Sequence, residues 1–158
     1  PWFHGNRCPF EDPNSRAMFF NISLDTGKSE LIRAVIEGVC YHMRWMLETQ
    51  DKKIKTSKTI RFVGGGALND STSRILADCL GRTIETVESP QNVGAVGAAV
   101  VVAAGIGVIK DISEAGKLIK SNRVFKPNAS DKAAYDKGYE VYKQLYKTNK
   151  ENFKLLNG

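Results

Sequence analysis

The sequence predicts an α/β domain, and three observations carry that prediction. Residues 59–87 read as a strand, a glycine turn, a helix and a second strand, the order of a parallel crossover unit. Two long stretches, about 26–50 and 131–156, carry apolar residues at helical spacing, and 93–105 is helical and apolar throughout. Strands separated by helices imply a sheet covered on both faces. A length of 158 residues suits one ordinary domain, and hydrophobic and charged fractions of 42% and 25% exclude a disordered chain. No internal repeat or low-complexity tract is present.

The elements follow in order. PWFHGNRCPFEDPNSR, residues 1–16, holds three prolines and many turn formers and reads as an ordered loop. AMFFNISL, residues 17–24, reads as a strand. Thr26 is placed to cap a long helix whose stripe is Leu31, Val35, Val39, Met43, Met46 and Leu47, widened by Ile32, Ile36 and Cys40. Gly38 inside that helix costs about 1 kcal/mol relative to Ala, which close packing would offset. Polar residues 51–58 lead to a strand at 59–63. A helix from 71 to 80 closes at Gly81, the usual C-terminal residue. TIETV, 83–87, is rich in β-branched residues and reads as a strand. The apolar helix at 93–105, a short helix near 113–119 and an extended VFKP segment precede the last helix. There Tyr135, Tyr139, Tyr142, Tyr146, Phe153 and Leu156 line one side as a docking face, which also leaves open a non-catalytic assembly module built on that helix.

The formal charge of +6 comes largely from Lys52, Lys53, Lys55 and Lys58 near one loop and Lys143, Lys147, Lys150 and Lys154 on the last helix. No nucleic-acid module or stacking motif accompanies them, so they read as solvated surface, with no nucleic-acid partner. VGAVGAAVVVAAGIGVI, residues 93–109, reaches the lower length limit of a membrane span. It is built mostly of Ala, Gly and Val without aromatic anchors, so a buried helix is expected and no membrane association. No signal peptide is visible. Cys8, Cys40 and Cys79 are odd in number and widely spaced, which excludes a disulfide framework or metal knuckle and points to buried thiols in a reducing cytoplasm. The chain opens without an initiator Met, as a piece of a longer protein or a processed one would.

The sharpest motif is RFVGGGALND, residues 61–70, which sets Gly64, Gly65 and Gly66 between a strand and a helix. Ligands of crossover units sit beyond the carboxyl ends of the strands, where bare backbone and a helix start suit a phosphate. Asn69 and Asp70 stand where the helix begins, able to cap it or to reach a ribose, a base edge or a metal-bound water. The Walker pattern is absent. A dinucleotide fingerprint is half present: Gly64 and Gly66 are spaced as Gly-x-Gly, Asn69 replaces the third glycine, and Glu85 and Glu88 lie about twenty residues on. A plain tight turn, a phosphate shelf and a dinucleotide half-site all remain open. His4 and His42 are too far apart in sequence to argue a triad or metal cluster. Adjacent Glu11 and Asp12 read as solvated loop acids or an acid–base pair. No catalytic base and no metal site is evident.

Several segments together resemble the C-terminal domain of the FGGY carbohydrate kinases, the family of xylulose, gluconate, ribulose and glycerol kinases. GNRCPFEDPNSRAMFF is similar to its Gly-x-Arg-x-Pro…Asp-Pro-x-x-Arg-Gly loop, with Ala17 where the family usually has Gly. RAVIEGVCYHMR, residues 33–44, resembles its Arg-Ala-x-x-Glu-Gly helix. GGGALNDSTSRILADCLGRTIE resembles its glycine turn, Leu-Ala-Asp helix and Leu-Gly corner. GAVGAAVVVAAGIG resembles its Leu-Gly-Ala-Ala helix, with Val96 in the place of Leu and Gln91-Asn92 where an acid is frequent.

The resemblance implies an actin-like ATPase (ribonuclease H-like) fold, a mixed sheet flanked by helices. Residues 1–158 would be the nucleotide-binding half of a longer two-domain cytoplasmic enzyme. It places Gly65 and Gly66 along the adenosine-phosphate part of ATP, with Gly64 in the same binding turn, and brings Asn69 or Asp70 to the adenine or ribose. The sugar, the catalytic Asp and most ligands of Mg²⁺ would belong to an N-terminal sugar-binding domain, the expected partner, so this chain alone would be inactive. A homodimer is compatible with the family. Arg7 and Arg16 are expected to pair with carboxylates, the alternative being that they help to order the cleft.

Overall fold

The computed structural model describes residues 2–114, 116 and 119–158. The chain runs α1 (Lys28–Asp51), β1 (Thr59–Phe62), α2 (Asp70–Leu80), β2 (Thr83–Val87), α3 (Val93–Gly105), β3 (Ser121–Phe125) and α4 (Lys132–Asn157). Short 3-10 turns lie at Gly65–Leu68, Pro90–Asn92, Ile112–Glu114 and Ala129–Asp131. Two compact units result: Pro1–Thr56 with Asp78–Leu80 and Asn128–Gly158, and Ser57–Ala77 with Gly81–Pro127.

The first unit is an aromatic helix pair. The tyrosine stripe of α4 is buried as expected at Tyr135, Tyr139, Tyr142, Tyr146 and Phe153, whereas Leu156 is exposed. Trp2 and the partly buried Phe10, Met18, Tyr41 and Trp45 complete that core. Phe10 stacks on Tyr146 with ring centroids 3.7 Å apart. A buried phenol needs a partner for its hydroxyl, and each here has one. Tyr139 donates to Glu48 at 2.8 Å, Tyr146 donates to Asp12 at 3.0 Å, and Tyr142 meets His42 Nδ1 at 3.2 Å. Arg44 ties the helices together, bonding Glu48 at 3.0 Å and Asp136 at 2.8 Å, with its guanidinium 4.4 Å from the Tyr139 ring centre. The face of α1 that meets α4 is therefore Tyr41 and Trp45 beside buried Cys40. The aliphatic stripe read from the sequence is half-buried, with Ile32 and Val35 exposed.

Two local expectations fail in this unit. The helix starts after Gly27, whose N–H donates to Glu30 Oε2 at 3.1 Å; the Thr26 hydroxyl instead accepts the Ser23 N–H in the preceding turn. Residues 17–24 form no strand. A strand needs a hydrogen-bonded neighbour, none is present among the described residues, and Asn21 turns the chain aside at φ 62°.

The second unit holds the sheet, in the order β1-β2-β3. β1 and β2 are parallel, with Thr59 opposite Thr83 and Phe62 opposite Thr86, as the crossover through α2 requires. β3 is antiparallel to β2, with Ile84 opposite Phe125, so the sheet is mixed. Only β2 is well buried, at Ile84, Thr86 and Val87; β1 and most of β3 are not, so the expected cover on both faces is partial. Gly81 ends α2 at φ 62°, its N–H on the Ala77 carbonyl. α3 forms where expected, yet Val100 is its only buried residue and Val101 and Val102 are exposed. Burial of the whole helix is thus not observed. No described helix is long and apolar enough to cross a membrane. The VFKP segment belongs in part to β3, which extends back to Ser121. Of the helix expected near 113–119, Ile112–Glu114 forms a 3-10 turn, and residues 115, 117 and 118 lie outside the described residues.

Candidate functional site

The three glycines follow β1 directly, and each has a different physical setting. Gly64 sits at φ 89°, in the left-handed region that favours glycine. Its N–H donates to the Pro90 carbonyl at 2.8 Å, and its carbonyl accepts the Ala67 N–H at 3.1 Å, opening the 3-10 turn Gly65–Leu68. The turn is thus fixed to the segment that follows β2, beyond the carboxyl ends of two parallel strands. Gly66 is confined by its own strand: a Cβ there would lie 2.9 Å from the Phe62 ring tip. Gly65 is different. Its φ is not in the left-handed region, and among the described residues no heavy atom outside its own turn and chain neighbours lies within 4 Å of where its Cβ would be. Neither backbone conformation nor internal packing calls for glycine at 65.

Asn69 is the N-cap of α2. Its Oδ1 accepts the N–H groups of Ser71 at 2.8 Å and Thr72 at 3.3 Å, which engages that oxygen in holding the helix start. Asp70 stands exposed at the first helical position and forms an ion pair with Arg123 of β3. That cation was invisible to sequence reading, because only the β2–β3 register brings residue 123 to residue 70. Glu85, the candidate ribose acid, is engaged on the sheet. Hydrogen bonding from Ser121 and then from Arg61 at 3.1 Å holds its carboxyl below the ordinary range.

The remaining candidates are structural. Asp12 is buried, accepting from Tyr146 and from the Asn14 N–H at 2.9 Å, so it is neither a solvated acid nor paired with Glu11 for catalysis. Arg16 donates to the carbonyls of Pro13 and Ser15, both at 2.9 Å, where a carboxylate partner was expected. His42 has Nε2 2.8 Å from the Cys8 carbonyl and Nδ1 facing the Tyr142 hydroxyl. That arrangement fits a neutral ring donating at Nε2 and accepting at Nδ1. Burial holds its pKa below the usual value, against the opposing effect of the Cys8 carbonyl. Cys40 and Cys79 are buried free thiols, whereas Cys8 is exposed. Among the described residues, no three His, Cys, Asp or Glu side chains stand together to hold a metal ion.

Residues 1–106 match the C-terminal domain of the FGGY family of carbohydrate kinases. A xylulose kinase of Staphylococcus epidermidis is 30% identical over 152 residues, which is 96% of this chain and 30% of the relative. The solved xylulose kinase of Lactobacillus acidophilus superposes with a TM-score of 0.87 at 26% identity, covering 99% of this chain and 32% of that one. The gluconate kinase of the same organism superposes at 0.81 with 27% identity, covering 94% of this chain and 30% of that one. The chain therefore spans about a third of the length of these relatives.

Proposed function

The chain belongs to the FGGY family of carbohydrate kinases as its C-terminal domain, with the actin-like ATPase fold of that family, and from this premise we propose that it is the ATP-binding half of a cytoplasmic sugar kinase. The carrying observation is Gly65, a glycine that the fold itself does not require. Bare backbone at that point lets the phosphates of ATP lie against the turn. Gly64 shapes the turn and Gly66 seats it on Phe62. Asn69 fixes the start of α2, which leaves Asp70 to approach the ribose or adenine. Arg123 offsets the charge of Asp70 beside a polyanion.

ATP supplies the γ-phosphoryl group for in-line transfer to a hydroxyl of a xylulose- or gluconate-type substrate. This chain's residues would bind and orient the nucleotide. In this reading Mg²⁺ would be held mainly by ligands of an N-terminal sugar-binding half, which would also supply the catalytic base. The dinucleotide reading of the same glycines gains no support from these relatives, and Glu85 is engaged elsewhere.

The test follows the amide resonances of residues 64–70 during titration with MgATP and, separately, NADH. ATP is expected to shift Gly64, Gly65 and Asp70 saturably while NADH leaves them in place. Movement with NADH alone would sink the proposal.

A further inference from the structure

Residues 17–24 carry the sequence of a strand without its pairing. AMFFNISL contains no charged residue, and none of the N–H groups of residues 17–22 donates to a backbone carbonyl among the described residues. Phe19, Phe20, Ile22 and Leu24 are all more than half exposed. Beside them runs a groove of about 1010 Å³, walled by Phe3, Val35, Tyr41, Val141 and Leu145. Trp2 also lines it; that side chain is 5% exposed and its indole N–H has no acceptor among the described residues.

A row of unused peptide groups next to an apolar groove suits an extended polypeptide, whose carbonyls meet the free N–H groups while alternate side chains enter the groove. A small apolar molecule would leave the peptide row unmet. A second copy of this chain would bring two bodies of charge +6 together. The chain spans only about a third of its relatives, so a complete kinase has twice as much polypeptide again to lay against it.

We propose that residues 17–24 are a strand-addition site that receives an extended segment from the remaining polypeptide of the kinase. This rests on the reading of the chain as one domain of a longer kinase. Asn21 must move from φ 62° to an extended conformation as the pairing forms.

Amide hydrogen exchange tests it. In the 158-residue chain alone, the amides of residues 17–22 are expected to exchange freely. A fusion carries, ahead of this chain, the part of Lactobacillus acidophilus xylulose kinase that the chain does not match. In that fusion the same amides should slow by about a hundredfold or more. A soluble monomeric fusion in which they exchange as in the isolated chain overturns the proposal. So does protection in the isolated chain, whether as a monomer or only in a dimer seen by sedimentation. Should the fusion not fold, overlapping fifteen-residue peptides from the same part of that kinase are titrated instead, and failure of every peptide to protect residues 17–22 overturns it equally. Absence of ATP shifts at Gly65 would leave this readout untouched, so the two proposals fail separately.

Discussion

The glycines show how far single residues can be read. Three in a row were legible as bare backbone, but the sequence could not divide the labour among them, because φ at 64 and the Phe62 ring under 66 are tertiary facts. That division now yields three different expectations for alanine. Gly64→Ala should destabilise by about 1–2 kcal/mol through left-handed strain. Gly66→Ala should cost about 1 kcal/mol as the Phe62 ring gives way. Gly65→Ala should leave thermal stability unchanged or slightly raised while weakening ATP binding at least tenfold. Melting curves paired with calorimetric ATP titrations check all three, and a Gly65→Ala protein that binds ATP as the parent does would remove the argument for a ligand there. His42 gives a pH prediction. Its folded pKa is lowered, so the unfolded chain takes up the proton first. Stability is complete above the ordinary value of about 6.5 and falls as pH drops below it toward the folded value. Melting temperatures between pH 7.5 and 5 should decline in the parent and decline less in His42→Gln.

Most elements were legible, and the exceptions share a cause. Helix and strand spans from 59 to 105 follow from local spacing and from the Gly81 stop. Strand 17–24 and β3 depend on partners distant in sequence: β3 gains one from β2, while 17–24 has none here. On α1 the aliphatic stripe was the obvious face, yet the aromatic face made by Tyr41 and Trp45 meets the tyrosines of α4. Ring stacking and hydroxyl partners outweighed aliphatic periodicity. Gly138 belongs to that contact, since a Cβ there would run into the Tyr41 hydroxyl. Gly138→Ala is therefore expected to lower stability by about 1–3 kcal/mol despite the better helix propensity of Ala. Gly97→Ala on α3, where no neighbour intrudes, should raise helix stability by up to about 1 kcal/mol. Chemical denaturation of the pair separates packing from propensity. Asn69→Ala should cost about 1 kcal/mol by unfastening the start of α2, with or without nucleotide.

For the molecule as a whole, the candidate turn was readable and the rest of a catalytic centre was not; on the proposed reading its base and metal ligands come from the remaining polypeptide of the kinase. The chain alone is accordingly expected to bind ATP weakly and to phosphorylate neither xylulose nor gluconate; a coupled assay that registers sugar-dependent ADP release from it would contradict that division of labour. The thiols carry a practical consequence. Burial pushes Cys40 up to about 12 and Cys79 higher still, whereas Cys8 is open to solvent. A maleimide dye should thus attach once to the native chain and at all three cysteines after denaturation. The unaltered polypeptide comes with its own handle, a lone addressable sulfur on the opening loop through which light can report what the protein meets.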